Sequence, residues 1–236
     1  MNQHLTRTLE NLGFTQLRYD KHVFVHRSGQ KADCIVCVHV DDLLVVDING
    51  NFKKRLVEGL TANYGKITTA EGTDLTYLGV QIQVEPGRIQ LNQAKLIRAL
   101  EYREATRRAG TPASQDILRK DDGTPARDPA AFRSTLMKIL YVATKTRFDV
   151  LFATNVLAGR QHCCSAADEE HLTQLVKYLK ETAAWNYVIQ PKDSVLSISA
   201  DASFACHTDG RGHTGFVCRV GGATVFARSV KQRLVA

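Results

Sequence analysis

The sequence predicts an α+β fold, and three observations carry that prediction. Stretches with apolar residues at every second position, the strand period, alternate with stretches whose apolar residues recur three and four apart, the helix period. Both kinds of pattern occur in each half of the chain. Between the halves, residues 110–129 hold three of the five prolines among polar spacers and read as a linker or exposed loop.

The elements follow in order. Residues 2–12 place Leu5, Leu9 and Leu12 on one helical face. The runs HVFVH and CIVCVHV read as strands, and LLVVDI after Asp41-Asp42 as a third. Asn49-Gly50-Asn51 breaks the chain and can cap a helix bearing Phe52, Leu56, Leu60 and Tyr64. TYLGVQIQVEPGRIQLN reads as a hairpin that turns at Pro86-Gly87, with Leu78, Val80, Ile82 and Val84 on one face and Tyr77, Gly79, Gln81 and Gln83 on the other. Residues 92–104 are helical and basic in pattern. After the linker, Phe132, Leu136, Ile139, Leu140 and Ala143 stripe one helix, and a second covers about 148–160. Ser165, with Asp168 three residues on, caps a third helix, whose apolar face is Leu172, Leu175, Val176 and Leu179. From Asn186 the pattern turns to strands: NYVIQ, SVLSISADAS, HTGFVCRV and ATVFARSV.

With 44% hydrophobic and 23% charged residues, the chain of 236 can bury a sizeable core, and its length suits two domains. No apolar run is long enough to span a membrane, and the amphipathic N-terminus lacks a signal-peptide core. Six cysteines without a dense framework read as reduced thiols in an intracellular compartment. Cys34-x-x-Cys37 has a zinc-like spacing, but in a strand those positions point to opposite faces, which leaves buried small residues as the other reading. The net charge is +7, and residues 95–147 hold twelve Lys/Arg against six Asp/Glu, an excess of six. A local basic excess suits a polyanion such as nucleic acid, or is a solvated surface.

Asp41 and Asp42 sit between two nearly apolar runs. Two strands joined by a tight turn put both carboxylates at a hairpin tip, where their repulsion is relieved by a proton or a divalent cation. Mg²⁺ takes one or two carboxylates and completes its shell with water and phosphates, and a pair of such ions suits nucleotidyl transfer. The bare dipeptide is also a common surface turn. In SVLSISADASF, Leu196, Ile198 and Ala200 alternate with Ser197, Ser199 and Asp201, so the strand is expected to bury the first set and present the second. His207 and His213 flank a Gly-rich turn and read as exposed turn residues, with a metal or general-base role as the alternative.

The segment VHVDDLLVVD resembles the acidic hairpin of reverse transcriptases, with His39 where tyrosine is usual. The ordered series LENLGFTQLRYDKHVFVHR, LTYLGVQIQ, RIQLNQAKLIRALE, GTPAS, FRSTLMKILYVATKTRFDVLFATNVLAGR and LVKYLKETAAWNYVI is similar to a copia-type retrotransposon polyprotein, although Phe148 stands where that family generally has proline. SADASFACHTDGRGHTGFVCRVGGATVFARSVKQRLVA resembles the opening of its ribonuclease H domain.

The resemblance implies a partial reverse-transcriptase palm with an antiparallel sheet and helices, a helical connection, and a partial ribonuclease H-like mixed sheet. It divides the chain into 1–112, palm and thumb part; 113–184, linker and connection; and 185–236, start of ribonuclease H. It implies Asp41 and Asp42 as catalytic, metal-binding residues of RNA-directed DNA polymerase chemistry and Asp201 as the first metal-binding aspartate of ribonuclease H. His39, Val40, Tyr77, Leu78 and Gly79 would lie near primer or nucleotide. Lys95, Arg98, Arg107, Arg108, Arg119 and Lys120 would hold the phosphates of a duplex. The implied cofactor is Mg²⁺ or Mn²⁺. The implied partners are an RNA/DNA template-primer, deoxynucleoside triphosphates and the rest of the polyprotein. The family also needs an earlier palm aspartate, unlike Asp20 or Asp33 in context, and later ribonuclease H carboxylates. The expectation is therefore a portion truncated at both ends, inactive alone, with a non-catalytic nucleic-acid-binding remnant as the alternative.

Overall fold

A computed structural model describes residues 3–103, 109–119 and 123–235, the side chains of 234 and 235 excepted. The chain is α+β and forms two compact units, 1–72 and 73–236. Among the described residues no helix is long and apolar enough to cross a membrane.

In the first unit, α1 (Gln3–Asn11) leads into a sheet of β1 (Thr15–Gln16), β2 (Val23–Ser28), β3 (Lys31–His39) and β4 (Asp42–Asp47), and α2 (Lys53–Tyr64) follows. The sheet is antiparallel, with strands neighbouring in chain order. The period-2 pattern of β3 sends Cys34, Val36 and Val38 into a core with Leu9, Phe14, Phe24, Leu56 and Leu60. A Cβ on Gly59 would lie 2.6 Å from Leu12 Cδ2, so a larger residue there would require the Leu12 side chain to move. The cap of α2 is not the Asn-Gly-Asn turn. Phe52, at the cap position, offers no side-chain oxygen, and Asp47 Oδ2 instead accepts from the amides of Phe52 (2.9 Å) and Lys53 (3.0 Å). Burial pushes the Asp47 carboxyl up, and the amides of Phe52, Lys53, Gly50 and Asn49 outweigh that and hold it below the usual range.

The second unit opens with β5 (Asp74–Tyr77), β6 (Val80–Glu85), β7 (Arg88–Asn92) and the short α3 (Ala94–Arg98). Helices α4 (Pro129–Lys145), α5 (Leu151–Ala158) and α6 (Ala166–Glu181) follow, with a 3-10 turn at Phe148–Val150. β8 (Tyr187–Ile189) completes a β5-β6-β7-β8 sheet, and β9 (Leu196–Ser203), β10 (Arg211–Val220) and β11 (Ala223–Val235) form another in the order β11-β10-β9. That last sheet was expected to be mixed; its pairings are antiparallel. The expected single strand through Leu78 is two strands, because the chain reverses at Leu78-Gly79.

The core of this unit is helical. Phe132, Leu136 and Ile139 of α4 and Leu172, Leu175 and Leu179 of α6 are all 0% exposed. Asp128 caps α4 through the Ala131 amide (2.9 Å), with Pro129 in its first turn. The Ser165–Asp168 capping box of α6 is formed as the spacing requires. The stretch read as an exposed loop packs instead. Ile117 and Ala126 enter the core, and Pro125 bridges Ser165. The Arg147 guanidinium, 3% exposed, forks onto Asp149 and Thr182 and lies over the rings of Tyr178 and Trp185.

Candidate functional site

The β3–β4 hairpin builds the first candidate. Its register runs from Cys34↔Asp47 to His39↔Asp42, which leaves Val40 and Asp41 as a two-residue turn. Val40 has φ 53° and is 75% exposed. A β-branched residue in the left-handed region stores strain of about 1–3 kcal/mol, which the paired strands on either side must hold. The result is a tight tip on which His39, Val40, Asp41 and Asp42 are all exposed. Adjacent carboxylates here offer hard oxygens with an open side toward a ligand. Among the described residues, no three His, Cys, Asp or Glu side chains gather into a metal-holding group. Two carboxylates without a third ligand beside them could hold a Mg²⁺ only where phosphates and water complete its shell.

A second turn gathers Tyr77, Leu78 and Gly79, in the other unit. Tyr77 pairs with Val80, and the intervening Leu78 (φ 50°) and Gly79 (φ 73°) both have positive φ, the requirement of a type I′ hairpin. The Tyr141 hydroxyl on α4 donates to the Leu78 carbonyl at 2.5 Å. Of the basic candidates, Lys95 and Arg98 project from α3 and Arg119 from the following loop, all exposed. Arg107, Arg108 and Lys120 lie outside the described residues.

Asp201 lies on β9, exposed, with Oδ1 accepting from the Ala202 amide at 2.8 Å. Register places it in a row with Gly215 and Ser229. Gly215 has no side chain, and the row forms one wall of a cavity of about 550 Å³ against Phe148, Leu151 and Phe152. The face carrying Ser199 and Asp201 is thus the one turned to the helices, while Leu196 and Ile198 are 62% and 64% exposed. The expected burial of Leu196, Ile198 and Ala200 is not met: β9 is exposed along its whole length, on both faces. Alternation defines two faces, but which of them meets a neighbouring layer depends on where α5 packs.

The two histidines are not exposed turn residues. His207 and His213 are 8% and 7% exposed, joined Nε2 to Nδ1 at 2.9 Å, with His213 Nε2 on Ser229 Oγ at 2.7 Å and its ring edge-on to Phe152. Burial lowers both pKa values, and for His207 the nearby Lys231 adds to the effect. Ser229 was not legible as a site residue, since only the sheet register brings it beside His213. Cys34 and Cys37 lie on opposite faces of β3, and burial, then Asp47 and Asp33, push the Cys34 thiol up to about 11, so it stays protonated.

No family model matches the chain. Among curated proteins, it is 26% identical over 202 residues to the uncharacterized mitochondrial protein AtMg00810 of Arabidopsis thaliana, an alignment covering 83% of this chain and 82% of that protein. An alignment of that length extends into both units.

Proposed function

We propose that the chain is part of a copia-type retrotransposon polyprotein, the later palm and connection of a reverse transcriptase running into the start of ribonuclease H. The observation that supports this best is the strained β3–β4 tip. There an apolar ribbon holds Val40 at φ 53° and exposes the adjacent Asp41 and Asp42 to solvent. Ordinary surface turns avoid β-branched residues at such φ, and strain of this kind concentrates at functional sites. In this reading Asp41 and Asp42 bind the Mg²⁺ carried by a nucleotide's phosphates, and His39 and Val40 flank the nucleotide. The metal supplies charge neutralisation at the phosphates and a more acidic primer hydroxyl. Two carboxylates alone cannot organise a two-metal transfer, so the isolated chain is expected to bind nucleotide–metal without extending a primer.

Fe²⁺ substituted for Mg²⁺ tests this directly. With deoxynucleoside triphosphate and ascorbate, hydroxyl radicals should cut the backbone near residues 40–42. Asp41→Asn with Asp42→Asn should abolish that cut. Cutting that persists in the double variant, or never occurs at this tip, removes the reading.

A second reading, nucleic-acid binding without catalysis, is favoured by the exposed Lys95, Arg98 and Arg119.

A further inference from the structure

The β5–β6 turn has an unusual composition for its geometry. A type I′ turn needs φ > 0 at both central residues, which is why Asn-Gly and Gly-Gly dominate it. Here the first position is Leu78, at φ 50°. The strand ladder closes at Tyr77↔Val80, so the Leu78 carbonyl lies beyond the last paired residues of β5 and β6. Tyr141 supplies the partner, donating its hydroxyl to that carbonyl from α4. The mount is firm, because Ile139, Val142 and Ala143 on the same stretch of helix are all 0% exposed.

We infer that Tyr141 is a positioning residue: its hydroxyl locks Leu78 in the left-handed conformation and so fixes the shape of the Tyr77–Val80 tip, which the resemblance to reverse transcriptases would set beside a primer strand. The lock stands on geometry alone, and the placement beside a primer rests on the reading given under Proposed function. Leu78 is half-buried at the tip, so a side chain is retained there that glycine could not provide. The retained side chain requires a conformation that leucine disfavours, and the tyrosine hydroxyl holds it.

Three variants of the full chain test this: Tyr141→Phe, Leu78→Gly, and both together. Phe keeps the ring and its packing. In Tyr141→Phe, amide hydrogen exchange at Gly79 and Val80 should accelerate by about tenfold, the worth of one hydrogen bond, while exchange in the core of α4 stays unchanged. On the Leu78→Gly background the same change should have little effect, since glycine adopts positive φ without help. Unchanged exchange in Tyr141→Phe overturns the lock, as does an equal acceleration on both backgrounds. Affinity for an RNA–DNA primer-template, measured on the same proteins, should fall several-fold in Tyr141→Phe and recover in the double variant. If exchange responds but affinity does not, the lock holds and the placement of this tip against nucleic acid is wrong.

Discussion

At the scale of single residues, the His207–His213 pair sets a pH dependence whose sign can be worked out. Both imidazoles are pushed below the ordinary histidine value by burial, His207 further by Lys231, His213 and Arg160, with Asp209 opposing. The groups around them include Lys231 on β11, Asp209 and Arg211 of the turn, Arg160 after α5, the Ser229 hydroxyl and the Phe152 ring. Below about pH 6.5 the unfolded chain takes up protons that the folded pair resists, so it binds more protons than the native state and stability falls. The contribution is full above that value and is lost as pH drops. Urea midpoints should therefore fall from pH 7.5 to pH 5.5, and His207→Gln, with one ring fewer to charge, should show a smaller fall. Equal slopes for both proteins would place the pH sensitivity elsewhere. A Gly-rich turn signals exposure, and nothing local in the sequence reports that the sheet stacks His207 on His213 and His213 against Phe152.

Elements were legible where their determinants are local. The α6 start was readable because Ser165 and Asp168 are three residues apart and satisfy each other. The place of the α2 start was readable from the Asn-Gly-Asn break, but its cap was not, because the acceptor, Asp47, reaches forward across a turn from the end of β4. The β5–β6 reversal was hidden because leucine is not a turn residue, and the alternation of Leu78, Val80 and Ile82 imitates one continuous strand. The acidic tip was legible because apolar runs flank it on both sides. For β9 the two faces were readable, but the absence of a covering layer on either was not: the strand is exposed along its whole length. That exposure yields a prediction. Ile198→Lys and Leu196→Lys should leave stability within about 0.5 kcal/mol of the parent and the thermal midpoint nearly unmoved, as expected of exposed positions. The same change at Val217, on the opposite face against α5, should lower the midpoint by several degrees. Thermal scans of the three variants decide it. A large loss at Ile198 would mean that the Leu196–Ile198 face is covered in solution.

For the whole molecule, the question is whether its charge or its acidic tip would govern the proposed association with nucleic acid. The chain carries a net +7, with an excess of six from Lys95 to Arg147. Binding through that excess releases counterions, so log affinity falls linearly with log salt, by about 0.7–0.9 per phosphate contact. Replacing Arg107, Arg108, Arg119 and Lys120 together by alanine should weaken hybrid binding at low salt and flatten that slope by up to about 3, on the same scale. Asp41→Asn with Asp42→Asn should do neither, because carboxylates at a hairpin tip make no contact that releases phosphate counterions. It should instead remove the metal-dependent association of a nucleotide, which the arginine variants retain. The two sets of changes thus act on separate observables. A chain that loses salt-dependent binding through the basic segment yet never associates with a nucleotide–metal complex is a binding remnant. One that shows both behaviours, each removed by its own substitutions, has kept the two halves of a polymerase's grip. If neither set alters any binding, charge and tip alike are ordinary surface, and the retrotransposon reading loses its physical basis in this chain.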